Sequence, residues 1–285
     1  MAFQRVALIT AGTAGLGAQV ARILAPDFRV VCRYKVVNYA NNQSRAQSLL
    51  EELNGIPNTS QGAEKPRFEA IQADVGDRDA IKRLVEDTVA KFGRLVCSSE
   101  AGVLRHYPHF SKEIEQTDSA LWDVVVSNHG WTRITNFADL DEGMPEEDWD
   151  KCFIYNVKSH LWLLHAARTE LDKTEGAFIT TASLAGVKPS GSSLAYSVTK
   201  AAQIHLSKAL AQICAPKIRC NTVSPGLIMT EWGLRFSEEK INATRNNSKL
   251  KRLATVEDCA DAVRMLATNK SMTGQNIVVE SGALL

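Results

Sequence analysis

Three side chains suited to proton transfer lie within one short stretch of the sequence. Tyr196 and Lys200 are four residues apart, and Ser183 lies thirteen residues before Tyr196. On a helix, positions i and i+4 share one face about one turn apart. A phenol beside an ammonium group is an acid or base that can work near neutral pH, since the positive charge favours the phenolate. We therefore expect an acid–base site in this stretch.

A glycine-rich turn near the start of the chain predicts a dinucleotide site. Residues 6–10 form an apolar run typical of a buried parallel strand. Segment 11–17 follows with the pattern G-x-x-G-x-G, and a helix is predicted over 18–24, ending before Pro26. Glycines let the backbone approach a pyrophosphate, and the helix N-terminus offers free N–H groups. The turn residues predicted to bind the cofactor are Gly12, Thr13, Gly15, Leu16 and Gly17.

The remaining elements must bring this turn and the acid–base site together. Apolar runs alternate with helical patterns along the whole chain, which predicts an α/β fold with one doubly wound parallel sheet. We expect about seven strands with helices on both faces, in a single Rossmann-like domain over 1–285. Polar segment 231–252 is predicted to be an irregular flap over the substrate. Further predicted strands lie at 68–74, 123–130, 177–182, 218–223 and 276–280, and helices at 44–53, 80–92, 145–171, 196–213 and 256–267.

The end of the second strand decides the choice between NAD and NADP, and its position is ambiguous. Counted from Gly17 the strand ends at Arg33, whereas counted back from the next helix it ends at Asn38. An acidic residue there would hold the ribose 2′-OH of NAD, and an arginine or neutral polar residue suits the 2′-phosphate of NADP. Neither position is acidic, so both alternatives favour NADP. Arg33 or Arg45 would contact the phosphate, unless each is an ordinary surface arginine.

Composition argues against several classes of partner. The 285 residues carry a net charge of +1, and 45% are hydrophobic. No strong field of either sign is expected to attract nucleic acid, a membrane surface or acidic partners. Six scattered cysteines without a C-x-x-C pair favour reduced thiols and no metal site. The first residues lack a signal-peptide layout. We expect a cytoplasmic protein with a small-molecule substrate.

These motifs together resemble the short-chain dehydrogenase/reductase superfamily. The resemblance runs nearly end to end, with each motif at the expected strand end. A lone Tyr-x-x-x-Lys often occurs by chance, but the ordered set is specific. The matching residues are the turn 10–17, Asp74 and Val75, 127–130, Asn156, Ser183, Tyr196 with Lys200, Asn221, Pro225 and Gly226 with Thr230, and 273–274.

The resemblance implies hydride transfer between NADP(H) and a ketone or secondary alcohol, with reduction as the favoured direction. Tyr196 would exchange the proton with the substrate oxygen, Ser183 would hold that oxygen, and Lys200 would bind the nicotinamide ribose and lower the Tyr196 pKa. Asn156 would anchor a water that links Lys200 to solvent. Further cofactor contacts implied are Asp74, Val75, Asn128 and Gly130 on the adenosine side, and Pro225, Gly226, Ile228 and Thr230 beside the nicotinamide.

Association is also implied. A homodimer or homotetramer would form through helices 146–171 and 196–213, with Trp162, Leu163 and Ile204 as candidate interface residues or ordinary core. An alternative function is a catalytically silent NADP sensor or scaffold of the same fold. The complete serine, tyrosine, lysine and asparagine set argues against it, because a sensor has no need of the phenol.

Several positions depart from the family pattern. Ala11 replaces the first glycine of the turn and is expected to keep a negative φ. His129 replaces a small residue and is expected to pack rather than bind substrate. About five extra residues lie within 31–37, and residues 96–122 are a predicted insertion. Both runs begin Val-Cys, whose codons can spell a splice donor, so translated intron is one hypothesis for 96–122.

Overall fold

The computed structural model describes residues 6–27, 34–39, 43–55, 68–92 and 124–285. The predicted insertion 96–122 lies outside the described residues, and so does Arg33. Of the shorter extra run, only residues 34–37 are described.

The described strands form one parallel sheet in the order β3-β2-β1-β4-β5-β6-β7. The chain reverses direction across the sheet between β1 and β4, the place where ligands bind in doubly wound folds. This confirms the predicted fold class. In chain order the elements are β1 Val6–Ile9, α1 Gly15–Asp27, β2 Tyr34–Tyr39, α2 Gln43–Asn54, β3 Phe68–Gln72, α3 Arg78–Phe92, β4 Val124–Ser127, α4 Glu146–Phe153, α5 Ser159–Thr174, β5 Ala177–Thr181, α6 Leu194–Cys214, β6 Arg219–Pro225, α7 Glu238–Asn247, α8 Val256–Thr268 and β7 Asn276–Val279.

Helices cover both faces of the sheet because alternate strand residues point to opposite sides. Ala7 and Ile9 of β1 pack into one apolar cluster with residues of α1, α2 and α8. Leu8 packs into a second cluster with residues of α3, α5 and α6. Two buried faces explain why the strands read as continuous apolar runs rather than as alternating patterns.

The position of β2 resolves the ambiguity over the second strand. Strand Tyr34–Tyr39 pairs with β1 from Val6 to Ile9 and with β3 up to Gln72. Asn38 therefore lies at the carboxyl end of the strand, as the count back from the second helix predicted.

Two local predictions were wrong. Segment 231–252 is not irregular, since it contains a 3-10 turn at Gly233–Arg235 and helix α7. The side chain of Ser237 caps α7 by accepting from the Lys240 N–H, a short-range signal that the polar composition concealed. Helix α1 continues through Pro26 to Asp27. Of the two alternatives left open for Leu163, the structure favours ordinary core, because this side chain is fully buried.

Candidate active site

Helix α6 fixes the tyrosine and the lysine on one face. Ser193 caps the helix by accepting a hydrogen bond from the Tyr196 N–H. One turn later, the Lys200 Nζ lies 5.6 Å from the centre of the Tyr196 ring. Lys200 is buried and donates to the Thr181 carbonyl at 2.9 Å and to Gln203 Oε1 at 2.8 Å. These acceptors at the end of β5 and on α6 hold the ammonium group in place.

Ser183 reaches the same site from the end of β5. It begins a 3-10 turn, Leu184–Gly186, and its hydroxyl accepts from the Ala185 N–H at 3.1 Å. Ser197 of α6 donates to the Ala185 carbonyl at 2.6 Å, which ties this turn to the helix. A side chain at Gly186 would collide with the Lys200 backbone, so glycine permits the close approach.

Burial shifts both ionisable groups towards their neutral forms. It raises the pKa of the Tyr196 phenol to about 12, although the hydrogen bond with Ser183 acts in the lowering direction. It lowers the pKa of Lys200 to about 7. Loss of hydration thus raises the pKa of Tyr196 in the free protein, and the lowering expected from Lys200 with an oxidised nicotinamide bound stays a prediction.

Asn156 lies in a π-helical turn, Ile154–Lys158, between α4 and α5. Such turns are rare and often occur at functional sites. The fully buried Asn156 accepts from the Trp131 N–H at 2.7 Å and donates to the Trp131 carbonyl at 2.9 Å and to Thr199 Oγ1 at 3.0 Å. The amide therefore joins the loop after β4 to the catalytic face of α6.

Close contacts around the glycine-rich turn leave no room for a side chain at Gly17. A Cβ at Gly17 would overlap the Ala11 carbonyl and lie 2.8 Å from Asn128 Nδ2. Gly15 has φ +48° and packs against Thr230. Ala11 has φ +47°, so the prediction of a negative φ was wrong. An alanine in this region costs about 1–2 kcal/mol, and the surrounding contacts must offset that strain.

The described residues enclose a cavity of about 540 Å³ that contains both predicted halves of the site. This volume is in the range of small-molecule and cofactor sites. Asn156 is buried behind the cavity rather than in its wall, and Gly12, Gly17, Asp74 and Val75 are not part of the lining. The predicted residues that do line it are Thr13, Gly15, Leu16, Asn128, Gly130, Ser183, Tyr196, Lys200, Pro225, Gly226, Ile228 and Thr230.

The carboxylate of Asp74 has structural hydrogen-bond partners. It accepts hydrogen bonds from the Gly76 N–H at 2.8 Å and from the Tyr155 hydroxyl at 3.1 Å. Asp77 caps α3 by accepting from the Asp79 N–H at 2.8 Å. Asp77, and not Asp74, is therefore the residue that caps α3.

Arg45 lies at the adenosine end of the cavity, beside the glycine-rich turn. Its guanidinium pairs with the Glu231 carboxylate at 2.6 Å, and both side chains are partly exposed. The pair joins α2 to the start of segment 231–252. Arg45, one of the two arginines considered from the sequence, lines the cavity, and Arg33 lies outside the described residues.

Several site residues were not found from the sequence. Gln203, Thr181 and Thr199 hold Lys200 and Asn156, and no short-range pattern in the sequence indicates these contacts. Lys240 lines the flap side of the cavity and donates to the Gly191 carbonyl at 2.9 Å. Within the described ranges, no cluster of three or more metal-binding side chains occurs. No helix in the same ranges is long and apolar enough to span a membrane.

The fold and site together define a dinucleotide-binding protein of the Rossmann type with a serine, tyrosine and lysine set. A family model described as short chain dehydrogenase matches residues 5–122, and one described as enoyl-(acyl carrier protein) reductase matches residues 110–283. The chain belongs to the short-chain dehydrogenase/reductase family. It is therefore an oxidoreductase that acts on C=O or CH–OH groups.

Similar proteins cover the whole chain. A 3-oxoacyl-[acyl-carrier-protein] reductase from Staphylococcus aureus is 29% identical, over 99% of both chains. Tropinone reductase-like 3 from Erythroxylum coca is 29% identical, over 98% of this chain and 92% of its own. The crystal structure of a short chain dehydrogenase from Burkholderia cenocepacia J2315 in complex with NADP aligns over 100% of both chains, with TM-score 0.77 and 23% identity.

Proposed function

We propose that this protein is an NADP(H)-dependent reductase of a ketone, with the reverse oxidation of a secondary alcohol at the same site. The observation that carries the proposal is that Ser183, Tyr196 and Lys200 line one cavity with the glycine-rich turn and residues 225–230. Ketoacyl and tropinone reductases among the similar proteins support a ketone as the substrate group.

The volume of the cavity, about 540 Å³, suits a cofactor-sized ligand. Thr13, Gly15 and Leu16 place the glycine-rich turn in the cavity wall, where a pyrophosphate would lie, and the N-terminus of α1 contributes a positive dipole end. Arg45 supplies a guanidinium that lines the same cavity and would bind a 2′-phosphate. Asn128, Ile228 and Thr230 line the cavity as well, and Gly130 lies beside Lys200. Bound NADPH would supply the hydride.

The residues of this chain would handle the proton. Tyr196 donates its phenolic proton to the substrate oxygen, which becomes the new hydroxyl group. Ser183 orients that oxygen through a hydrogen bond, and Lys200 stabilises the phenolate that remains. The high pKa of the phenol in the free protein keeps the proton on Tyr196 until a substrate is in place. Asn156 keeps the loop after β4 beside Lys200.

Association remains a proposal of its own. Leu161 of α5 and Val198 and Ile213 of α6 are exposed apolar residues on the two helices expected to form an interface. We propose a homodimer or homotetramer through these helices. Trp162 is partly buried against the core, so it contributes less than the outer residues.

A carbonyl panel tests the proposed function. NADPH or NADH oxidation is followed with 3-oxoacyl thioesters, cyclic ketones and, as a contrast, an enoyl thioester. We expect NADPH oxidation with at least one ketone and none with the enoyl substrate. NADPH binding without turnover of any substrate would instead favour the silent sensor, and turnover of the enoyl thioester alone would assign a different reaction.

A further inference from the structure

Two buried histidines lie at the cavity, where His129 is one of the lining residues and His160 stacks on it. His129 is 5% exposed and His160 is fully buried, and their rings stack at 4.3 Å with an angle of 9°. His129 occupies the position after Asn128 where a small residue was expected. The packing expected for it is confirmed, but both ring nitrogens also have polar partners.

His129 is the centre of a continuous hydrogen-bonded chain. Its Nδ1 lies 2.8 Å from Thr10 Oγ1, and its Nε2 lies 2.6 Å from Ser159 Oγ. At one end the Asn128 N–H donates to Thr10 Oγ1 at 2.9 Å. At the other end Ser159 Oγ donates to the Tyr155 carbonyl at 2.8 Å. Four hydrogen bonds thus connect the end of β4 with the π-helical turn.

The partners select one tautomer of the imidazole. Ser159 gives its only proton to the Tyr155 carbonyl, so it must accept from His129, which places the ring proton on Nε2. The bare Nδ1 then accepts the hydroxyl proton of Thr10, whose oxygen receives the Asn128 N–H. In this arrangement every donor in the chain has an acceptor, and the tautomer is assigned from this hydrogen-bond network.

Both ends of the chain belong to the proposed site. Asn128 packs on the glycine-rich turn, with its Nδ2 3.5 Å from the Ala11 carbonyl. Tyr155 precedes Asn156 in the π-helical turn. Between them, a Cβ at Gly130 would lie 3.1 Å from Asn156 Oδ1 and 3.3 Å from Lys200 Nζ. His129 therefore lies where the two halves of the site meet.

We propose that His129 is a positioning residue that holds the glycine-rich turn and the Asn156 turn in one hydrogen-bonded chain. A small side chain at this position could not bridge Thr10 and Ser159. The expected effect on cofactor affinity rests on the proposed NADP(H) function, whereas the hydrogen-bonded chain does not depend on that function. Breaking a hydrogen bond at one end of this hydrogen-bonded chain should therefore change the structure at the other end, through His129.

The first test examines the hydrogen-bonded chain by NMR in the protein without cofactor. Nitrogen-15 NMR of labelled histidine reports which ring nitrogen of His129 carries the proton, and we expect Nε2. Replacing Ser159 with alanine should shift the Asn128 amide resonance, which lies three hydrogen bonds away. A proton on Nδ1, or an Asn128 resonance that does not move, would overturn the proposal whether or not the protein binds NADPH.

The second test measures NADPH affinity in a double-mutant cycle. Ser159→Ala should raise the NADPH Kd about 5-fold, the effect of one ordinary hydrogen bond. In a His129→Ala background the same change should alter the Kd by less than about 2-fold, because the link is already broken. His129→Gln, whose amide can both donate and accept, should restore part of the affinity and of the coupling.

The control is Thr88→Val in α3. Thr88 is buried and donates to the Leu84 carbonyl at 2.6 Å, so it loses the same type of helix hydrogen bond as Ser159→Ala, but away from the cavity. It should lower the Tm without changing the NADPH Kd. If wild type binds NADPH and Ser159→Ala behaves like this control, the proposal fails while the proposed function stands. If wild type does not bind NADPH, the proposed function fails, and the NMR test alone decides whether the hydrogen-bonded chain through His129 exists.

Discussion

The Lys200 Nζ lies 5.6 Å from the centre of the Tyr196 ring, one turn along α6, while its two hydrogen bonds run to Thr181 and Gln203. The lysine thus adjoins the phenol but is held by β5 and by its own helix. Its position does not depend on a bond to the phenolic oxygen. Loss of the phenolic hydroxyl should accordingly leave the rest of the site in place.

Replacing Tyr196 with phenylalanine removes the proton donor and little else. We expect the reductase rate to fall about 10²- to 10⁴-fold, the usual contribution of a general acid. The NADPH Kd should stay within about 5-fold of wild type, since one hydroxyl is worth no more than an ordinary hydrogen bond to the cofactor. Steady-state kinetics and fluorescence titration measure the two quantities. An unchanged kcat would exclude Tyr196 as the acid.

Ser183 should contribute through its hydroxyl rather than through its capping of the turn that follows. Ser183→Ala is expected to lower kcat about 10²-fold, as for the loss of one oxyanion donor. Ser183→Thr keeps the hydroxyl and should recover much of the rate. Equal losses in both variants would show that the shape of the 184–186 turn matters and the hydroxyl does not.

Stability of the free protein should rise with pH through the Lys200 titration. Burial lowers the folded-state pKa of Lys200 from 10.5 to about 7. Between these values the unfolded chain binds a proton that the folded protein does not, so the free energy of unfolding increases with pH. The free energy of unfolding of wild type minus that of Lys200→Met should increase by roughly a few kcal/mol from pH 7 to pH 10.

Urea unfolding at several pH values measures this difference. The window ends near pH 10, where the raised pKa of Tyr196 begins to act in the opposite direction, because unfolding then releases the phenolic proton. A difference between wild type and Lys200→Met that stays flat over this window would contradict a depressed lysine pKa.

The Arg45–Glu231 pair predicts a change in cofactor preference. Arg45→Ala should raise the NADPH Kd at least about 10-fold, since it removes a charge-assisted contact to the 2′-phosphate. The NADH Kd should hardly change. Glu231→Gln should tighten NADPH binding a few-fold, because the competing carboxylate of the 2.6 Å pair is gone. Parallel losses for both cofactors would show that Arg45 does not read the phosphate.

The close contact at Gly17 predicts a loss of cofactor binding when any side chain is added. Gly17→Ala forces its Cβ against the Ala11 carbonyl and should abolish measurable NADPH affinity. Gly143→Ala is the control, because its Cβ would make an ordinary 3.4 Å contact with Leu194. Calorimetric titration of both variants makes the comparison, and NADPH affinity retained by Gly17→Ala would exclude this turn as the pyrophosphate site.

Short-range patterns in the sequence determined the alternating elements, the glycine-rich turn and the i, i+4 pair on α6. These features depend on residue spacing. A parallel sheet then brings the residues at the strand ends to one edge. Asn38 as the end of the second strand followed from one of two counts, and pairing with β1 and β3 decided between them.

Tertiary structure alone decided the features that depend on contacts across the sheet. Burial raises the pKa of Tyr196 in the free protein, since hydration is lost only when the elements pack. The positive φ of Ala11 is held by the contacts around Gly17 and Asn128. His129 appeared in the sequence as a departure from a small residue, and only its distances to Thr10 and Ser159 show what its ring nitrogens bind.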